Sequence, residues 1–259
     1  MIELPDSATF AAVLADRKLV LAIAIALLSG AVRGFSGFGS ALIYVPLMSA
    51  VYGPRIAAAT FLAIDLVTGA VFALRVGRDC NWREVLPLAA AAAVAAPFGT
   101  LILLFADPTV LRWMISALVL LMVVVPASGW RYHGVPILPI TFAVGFLAGL
   151  VGGAVQISGP PVIVYWLGGS SDVRVMRANF VVYFALTAVV LTIAYLSRGL
   201  INAEVLALAA ILGPLHILAI AAGAPLFHRA SGQTYRRVAY VIMAVAGLVS
   251  MPILDGWLR

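Results

Sequence analysis

The stretch VLPLAAAAAVAAPFGTLILLFA, residues 85–106, runs the width of a bilayer without one charged side chain. About 20 such residues, at 1.5 Å each, cross the roughly 30 Å of hydrocarbon in a helix. Comparable apolar runs fall near 19–32, 36–51, 57–74, 85–105 and 110–126, then 137–151, 155–168, 178–196, 205–227 and 238–254. Only 10% of the residues are charged and the mean hydropathy is +1.14, against about 25% charged in soluble domains. The chain is therefore an all-α polytopic integral membrane protein. Its opening segment, 1–18, carries acids and no long apolar core, so it reads as an amphipathic lead-in rather than a cleaved signal peptide.

The net charge of +6 does not point to nucleic acid. The sixteen Lys and Arg residues are scattered along the connections, with no basic stripe of the kind phosphate binding uses. The single cysteine, Cys80, excludes an intramolecular disulfide and a cysteine-rich metal site.

The second five apolar runs mirror the first five. Shifted by 119, GPRIAAATF (53–61) lies on DVRVMRANF (172–180), matching Arg55 with Arg174, Ala59 with Ala178 and Phe61 with Phe180. The same shift lays Gly30 on Gly149, Val32 on Val151 and Gly34 on Gly153, and a shift of 120 lays EVLPLAA (84–90) on EVLALAA (204–210). Two copies of one unit follow, 19–126 and 137–254, joined by a linker at 127–136. The opening pair of runs in each copy is short and broken by glycine and polar residues, "RGFSG" and "GGAVQISG". Runs of about 14–16 residues span only about 21–24 Å, and short broken segments in corresponding places of two halves mark transporter binding sites. Residues 19–51 and 137–168 are expected to form re-entrant helical hairpins whose tips meet near the midplane, each followed by three transmembrane helices. With hairpins that enter and leave on one side, nine cations gather on one face against six on the other, which makes the former cytoplasmic. Three full crossings per copy is an odd number, so the copies would be inverted repeats.

Arg33 stands inside this apolar sequence, where an arginine costs about 2.5–3.5 kcal/mol on insertion scales and persists only beside a cavity or partner. Gly34, Ser36, Gly37, Phe38, Gly39 and Ser40 surround it with backbone N–H groups and hydroxyls. A half-helix beginning near Ser36 would add a positive dipole end, making an oxyanion site; the alternative is an arginine that snorkels to the interface. The matching stretch 152–161 offers Gln156 and Ser158 ahead of Gly159, Pro160 and Pro161, where a second half-helix can start. Asp65, in TFLAIDLVTG, either pairs with Arg33 or carries a coupling proton. Asn179 either lines the cavity or bonds a neighbouring helix. His216 reads as an interior histidine, and Glu84 and Glu204 as first-turn residues capped by Asn81 and Asn202.

GAVRGFSGFGSALIYVPLM and GFLAGLVGGAVQISGPPVIVYWL, about 120 residues apart in a small polytopic chain, resemble the sulfite exporter TauE/SafE family of membrane permeases from Leu19 to Pro252. Where family members carry a Gly-Gly pair after Gly-Phe, this chain reads Gly39-Ser40, and in the second copy Ile157-Ser158-Gly159. The resemblance implies a secondary transporter that moves sulfite, sulfonates or related organic anions across the cytoplasmic membrane, as an exporter. Its partners would be the anion and the lipid bilayer, with a homodimer admissible and no cofactor or metal.

Two other readings stay open. A passive anion channel differs from a carrier only in kinetics. An intramembrane serine protease would use GFSG (34–37), with His216 as base for Ser36. No His-Glu-x-x-His, Walker sequence or carboxylate cluster is present.

Overall fold

A computed structural model of the chain describes residues 4–36, 39–128, 137–167, 172–227 and 232–254. Gly37, Phe38 and most of the 127–136 linker lie outside the described residues. Those that are described form helices and short turns: α1 Ser7–Ala15, α2 Lys18–Ser36, α3 Ala41–Tyr52, α4 Pro54–Val76, α5 Trp82–Phe105, α6 Pro108–Ala127, α7 Leu138–Val155, α8 Gly159–Leu167, α9 Val173–Ser197, α10 Ala203–Phe227 and α11 Gly232–Val249. Six of them, α4, α5, α6, α7, α9 and α10, are long and apolar enough to cross a membrane. The lead-in of the sequence becomes α1, started by Asp6, whose carboxylate accepts from the Thr9 amide at 2.8 Å.

Each pair of broken segments folds back on itself. At the open end of α2 and α3, the Lys18 ammonium lies 5.7 Å from the Tyr52 ring. At the open end of α7 and α8, the hydroxyls of Thr141 and Tyr165 are 2.6 Å apart. Both are hairpins, but their arms are unequal. The first arms have 19 and 18 residues and the second arms 12 and 9. The first-arm runs 19–32 and 137–151 are shorter than α2 and α7, because a helix satisfies its own backbone and continues through Arg33, whereas the second-arm runs 36–51 and 155–168 are longer than α3 and α8, which start only after the break. The break itself is a glycine turn: Gly39 has φ +91°, a conformation that glycine alone adopts freely.

The hairpins are held less by their own copy than by the other one. On α7, Gly145, Gly149 and Gly153 face the Leu88, Ala92 and Ala96 carbonyls of α5, residue for residue every turn, so the two helices run parallel. On α2, Gly30 and Gly34 face the His216 and Ile220 carbonyls of α10 in the same way, while Gly223 of α10 faces Ala31. Lipid supplies no hydrophobic drive between helices, so association rests on such close backbone approach through small residues. The Gly and Ala content that makes these segments look featureless is therefore their packing surface.

Chain direction can be followed through side-chain bonds at the helix ends. Arg55, at the start of α4, donates from Nε to the Leu103 carbonyl near the end of α5 at 3.1 Å, and its guanidinium also reaches Leu104. Buried Arg112, at the start of α6, donates to the Ser250 carbonyl beyond the end of α11 at 3.1 Å. Arg174, at the start of α9, pairs with Asp79 in the turn after α4 at 3.0 Å. So α9 enters at the end of the bundle where α4 leaves it.

A Gly149→Val substitution would drive a side chain into the Ala92 backbone and should cost about 1–3 kcal/mol, read as a lower unfolding temperature in detergent. Gly77→Ala, at φ −60° with open space around it, should leave that temperature unchanged or slightly raised.

Candidate functional site

Three elements of the first copy bring their polar groups to one place. Arg33 lies in the last turn of α2, where the unpaired carbonyls of a helix end favour a cation. Its guanidinium forms an ion pair with the carboxylate of Asp65 on α4 and donates to the Ser40 hydroxyl, at the start of α3, at 3.4 Å. Thr68, one turn beyond Asp65, donates to the same carboxylate at 3.4 Å. The two charged side chains keep 15% and 19% of their surface exposed, so the pair is sheltered without being sealed. The arginine does not stand alone: Asp65 neutralises it, and it donates to the Ser40 hydroxyl.

A buried polar layer backs this pair. His216 of α10 is fully buried, with Nδ1 3.0 Å from the Ala26 carbonyl and 3.3 Å from the Ser29 hydroxyl, both on α2. The carbonyl requires the proton on Nδ1. The Tyr44 ring of α3 stands edge-on to the imidazole at 6.5 Å, and the Tyr44 hydroxyl donates to Thr60 of α4 at 3.2 Å. One histidine thus touches both arms of the first hairpin. It does not serve Ser36: Ser29 and Ser36 are seven residues apart on one helix, about 10 Å along its axis, and the imidazole sits at Ser29.

The tip of the second hairpin is built differently. Gln156 ends α7 in the left-handed region, at φ 57°, the one non-glycine residue with positive φ among those described. The Tyr195 hydroxyl of α9 donates to the Gly153 carbonyl beside it at 2.8 Å, and the Gln156 Nε2 is buried without an acceptor. Ser158 lines a narrow crevice with Gly149, Gly152, Ala92, Ala96 and Thr187. Then α8 starts at Gly159, and two of its first positions are Pro160 and Pro161. Prolines carry no N–H, so this helix start has fewer donors to offer an anion than its place in the repeat implies. Trp166 of α8 packs on Phe180 of α9 at 5.0 Å, in an aromatic cluster that Tyr183 and Phe184 of α9, 5.4 Å apart, complete. The Trp166 indole N–H and the Tyr183 hydroxyl are buried there without partners.

Of the residues singled out in the sequence, Arg33 contacts both Asp65 and Ser40. No hydrogen bond or ion pair joins them to Gln156 or Ser158 among the described residues. Ser36 closes α2 instead of opening the next helix, and α3 begins at Ala41. Fully buried Asn179 binds at the end of the bundle: its Oδ1 accepts from the Asn81 amide at 2.8 Å and its Nδ2 donates to Glu84 at 3.1 Å. Asn81 and Glu84 are thereby drawn into a contact between α5 and α9, whereas Asn202 caps α10 by accepting from the Val205 amide at 2.9 Å. Burial, then the nearby Glu84 carboxylate, push the Cys80 thiol up in pKa, which favours the protonated thiol over the nucleophilic thiolate. Thr68 went unmarked in the sequence although it stands at i+3 from Asp65, a helical neighbour spacing. Ser29 and Tyr44 carried no local signal, since their partner His216 is far along the chain.

A family model described as Sulfite exporter TauE/SafE matches residues 22–250. No curated protein and no solved structure matches the chain.

Removing one member of a sheltered ion pair leaves the other uncompensated. Arg33→Ala and Asp65→Ala should each lower stability, and the double variant should lose less than their sum, with a coupling of about 0.5–3 kcal/mol. Unfolding of the four proteins in detergent measures it; strict additivity would mean that the pair holds nothing together.

Proposed function

Because the chain belongs to the sulfite exporter TauE/SafE family, we propose that it is a secondary transporter that carries a small sulfite-, sulfonate- or carboxylate-type anion outward across the cytoplasmic membrane. The observation that carries this reading is the Arg33–Asp65 pair at the broken end of α2. A cation held at membrane depth by a carboxylate, partly exposed and flanked by a serine hydroxyl, is a binding group with a resident counter-ion that a substrate anion can replace. The first tip, Arg33, Ser36, Gly37, Phe38, Gly39 and Ser40, is the anion-binding side. The second tip, Gln156, Ser158, Gly159 and Pro160, closes the path from across. Asn179 is left out, its amide being committed to Asn81 and Glu84.

The two copies, 19–126 and 137–254, are read as inverted repeats. Support comes from the hairpin contacts Lys18–Tyr52 and Thr141–Tyr165, and from α9 starting where α4 ends, through Arg174 and Asp79. Inverted copies around a central site are the usual scaffold for alternating access. Asp65 supplies a route to coupling. When an anion takes the guanidinium, Asp65 loses its partner and accepts a proton, so monoanion and proton move together without net charge. A protease reading loses its base, because His216 is engaged at Ser29 and Ala26.

In liposomes, Arg33→Ala should abolish saturable anion flux while expression persists, through a loss of about 1.5–3 kcal/mol in binding from one charge-assisted contact. Arg33→Lys should rescue only part, since an ammonium lacks the planar fork. Unchanged flux in the alanine variant would sink the assignment. Under imposed pH and voltage steps, Asp65→Asn should uncouple flux from the proton gradient; coupling that survives would leave Asp65 a structural partner of Arg33.

A further inference from the structure

The helices of this bundle are joined in two ways. Where α5 meets α7 and α2 meets α10, backbone touches backbone: a Cβ added at Gly149 or Gly34 would come within 2.2 or 2.0 Å of the facing carbonyl oxygen. Contacts this close hold a helix pair as one stiff unit. The start of α9 is joined to the α4–α5 turn by side chains instead. Fully buried Asn179 accepts from the Asn81 amide at 2.8 Å and donates to one Glu84 oxygen at 3.1 Å. The Asn81 side-chain amide donates to the other Glu84 oxygen at 2.8 Å, so each carboxylate oxygen has its own amide. Outside this cluster, exposed Arg174 grips Asp79 through Nε and Nη2 at 3.0–3.1 Å.

The matching positions of the repeat are bonded differently. At the shift of 119 Thr60 lies on Asn179 and Arg55 on Arg174, and at 120 Glu84 lies on Glu204. Thr60 gives its hydroxyl to the Ile56 carbonyl of its own helix at 2.7 Å, Arg55 bonds the Leu103 carbonyl, and Asn202 caps α10. Among the described residues no hydrogen bond or ion pair joins Thr60 to Asn202 or Glu204. The glycine crossings already hold the helices, so a completed polar network at one end alone points to a contact that opens. Side-chain bonds at the end of a bundle exchange for bonds to water at small net cost, whereas a backbone crossing within lipid has no such substitute. The far part of α9 reaches the second hairpin, where its Tyr195 hydroxyl donates to the Gly153 carbonyl in the last turn of α7 at 2.8 Å. A tilt at the start of α9 is therefore felt at that tip.

We propose that Asn81, Glu84 and Asn179, with the Arg174–Asp79 pair outside them, form a reversible fastener between α9 and the α4–α5 turn. It is closed in this structure, and each transport cycle opens it at the start of α9. The proposal rests on the reading of the chain as a secondary transporter and adds the place where the bundle parts. Cys80, the chain's single cysteine, stands between Asp79 and Asn81 and is partly buried, so its labelling reports on this contact.

The first arm of the test uses Arg174→Cys, a change at an exposed position, in liposomes assayed for ethanesulfonate counterflow. A short bifunctional methanethiosulfonate should couple the new thiol to Cys80 and stop flux, and dithiothreitol should restore it. A monofunctional methanethiosulfonate should leave flux running. Flux that continues in the cross-linked protein would overturn the proposal, and so would two thiols that never couple. The second arm follows N-ethylmaleimide labelling of Cys80 in the folded protein. Asn179→Thr, which sets here the side chain of Thr60 and alters no charge, should speed labelling about 10-fold, as loss of buried hydrogen bonds from the closed state implies. Equal labelling rates in the natural chain and this variant would overturn the fastener whether or not flux is seen. Failure of the transporter reading looks different: the natural chain would carry no ethanesulfonate before any cross-link, and the labelling arm would then decide the fastener alone.

Discussion

The architecture depends on backbone meeting backbone where Gly149 crosses Ala92 and Gly34 crosses Ile220. In a bilayer an apolar side chain gains nothing by leaving lipid for another helix, so specificity must come from fit and from polar contacts. The fit here joins helices far apart in sequence: α7 packs on α5, and α2 on α10. Each hairpin is therefore braced by a helix that its own copy does not supply. That bracing fixes where the hairpin tips sit, and the tips carry the chemistry.

The second constraint is electrostatic. An arginine near the end of α2 needs a counter-charge, and Asp65 provides it from α4, with Ser40, the residue before α3, bonded to the same guanidinium. His216 anchors the same hairpin from α10 through Ala26 and Ser29. A buried imidazole with its Nδ1 proton given to the Ala26 carbonyl, and Ser29 beside it, fixes α2 over the two turns before the arginine. The ion pair, the histidine and the glycine crossing at Gly30 are thus one assembly, in which the position of the guanidinium follows from three contacts on three helices.

Duplication usually suggests symmetry of use, yet the copies diverge where it matters chemically. Thr68 and Thr187 are kept, while Asp65 is answered by Phe184 and Arg33 by Gly152. The helix starts diverge as well. Asn202 caps its own helix, whereas Asn81 and Glu84 bind Asn179 of the other copy. One end of the bundle is therefore tied across the copies by side chains, with the Arg174–Asp79 pair outside them.

Much of this was legible in residue order, because membrane insertion and duplication both write themselves into the linear pattern. Uncharged runs such as 85–106 dictate helices across a bilayer, since nothing else satisfies the backbone there. The repeat, the broken segments around Arg33 and Gln156, and the oddity of a charge beside Ser36–Ser40 needed no coordinates. Packing and partner choice did. Sequence left Asp65 between ion pair and proton carrier, and Asn179 between cavity and helix contact, because each depends on a side chain many residues away. It also set the first arm of each hairpin too short, ending it at 32 and 151 where α2 and α7 continue, and the second arm too long, since α3 and α8 start only at Ala41 and Gly159. Local pattern determined that this chain crosses a membrane as helices and that Arg33 stands among them; only the tertiary structure, which brings distant residues together, decided that Asp65 and Ser40 face the arginine and that His216 seats against α2.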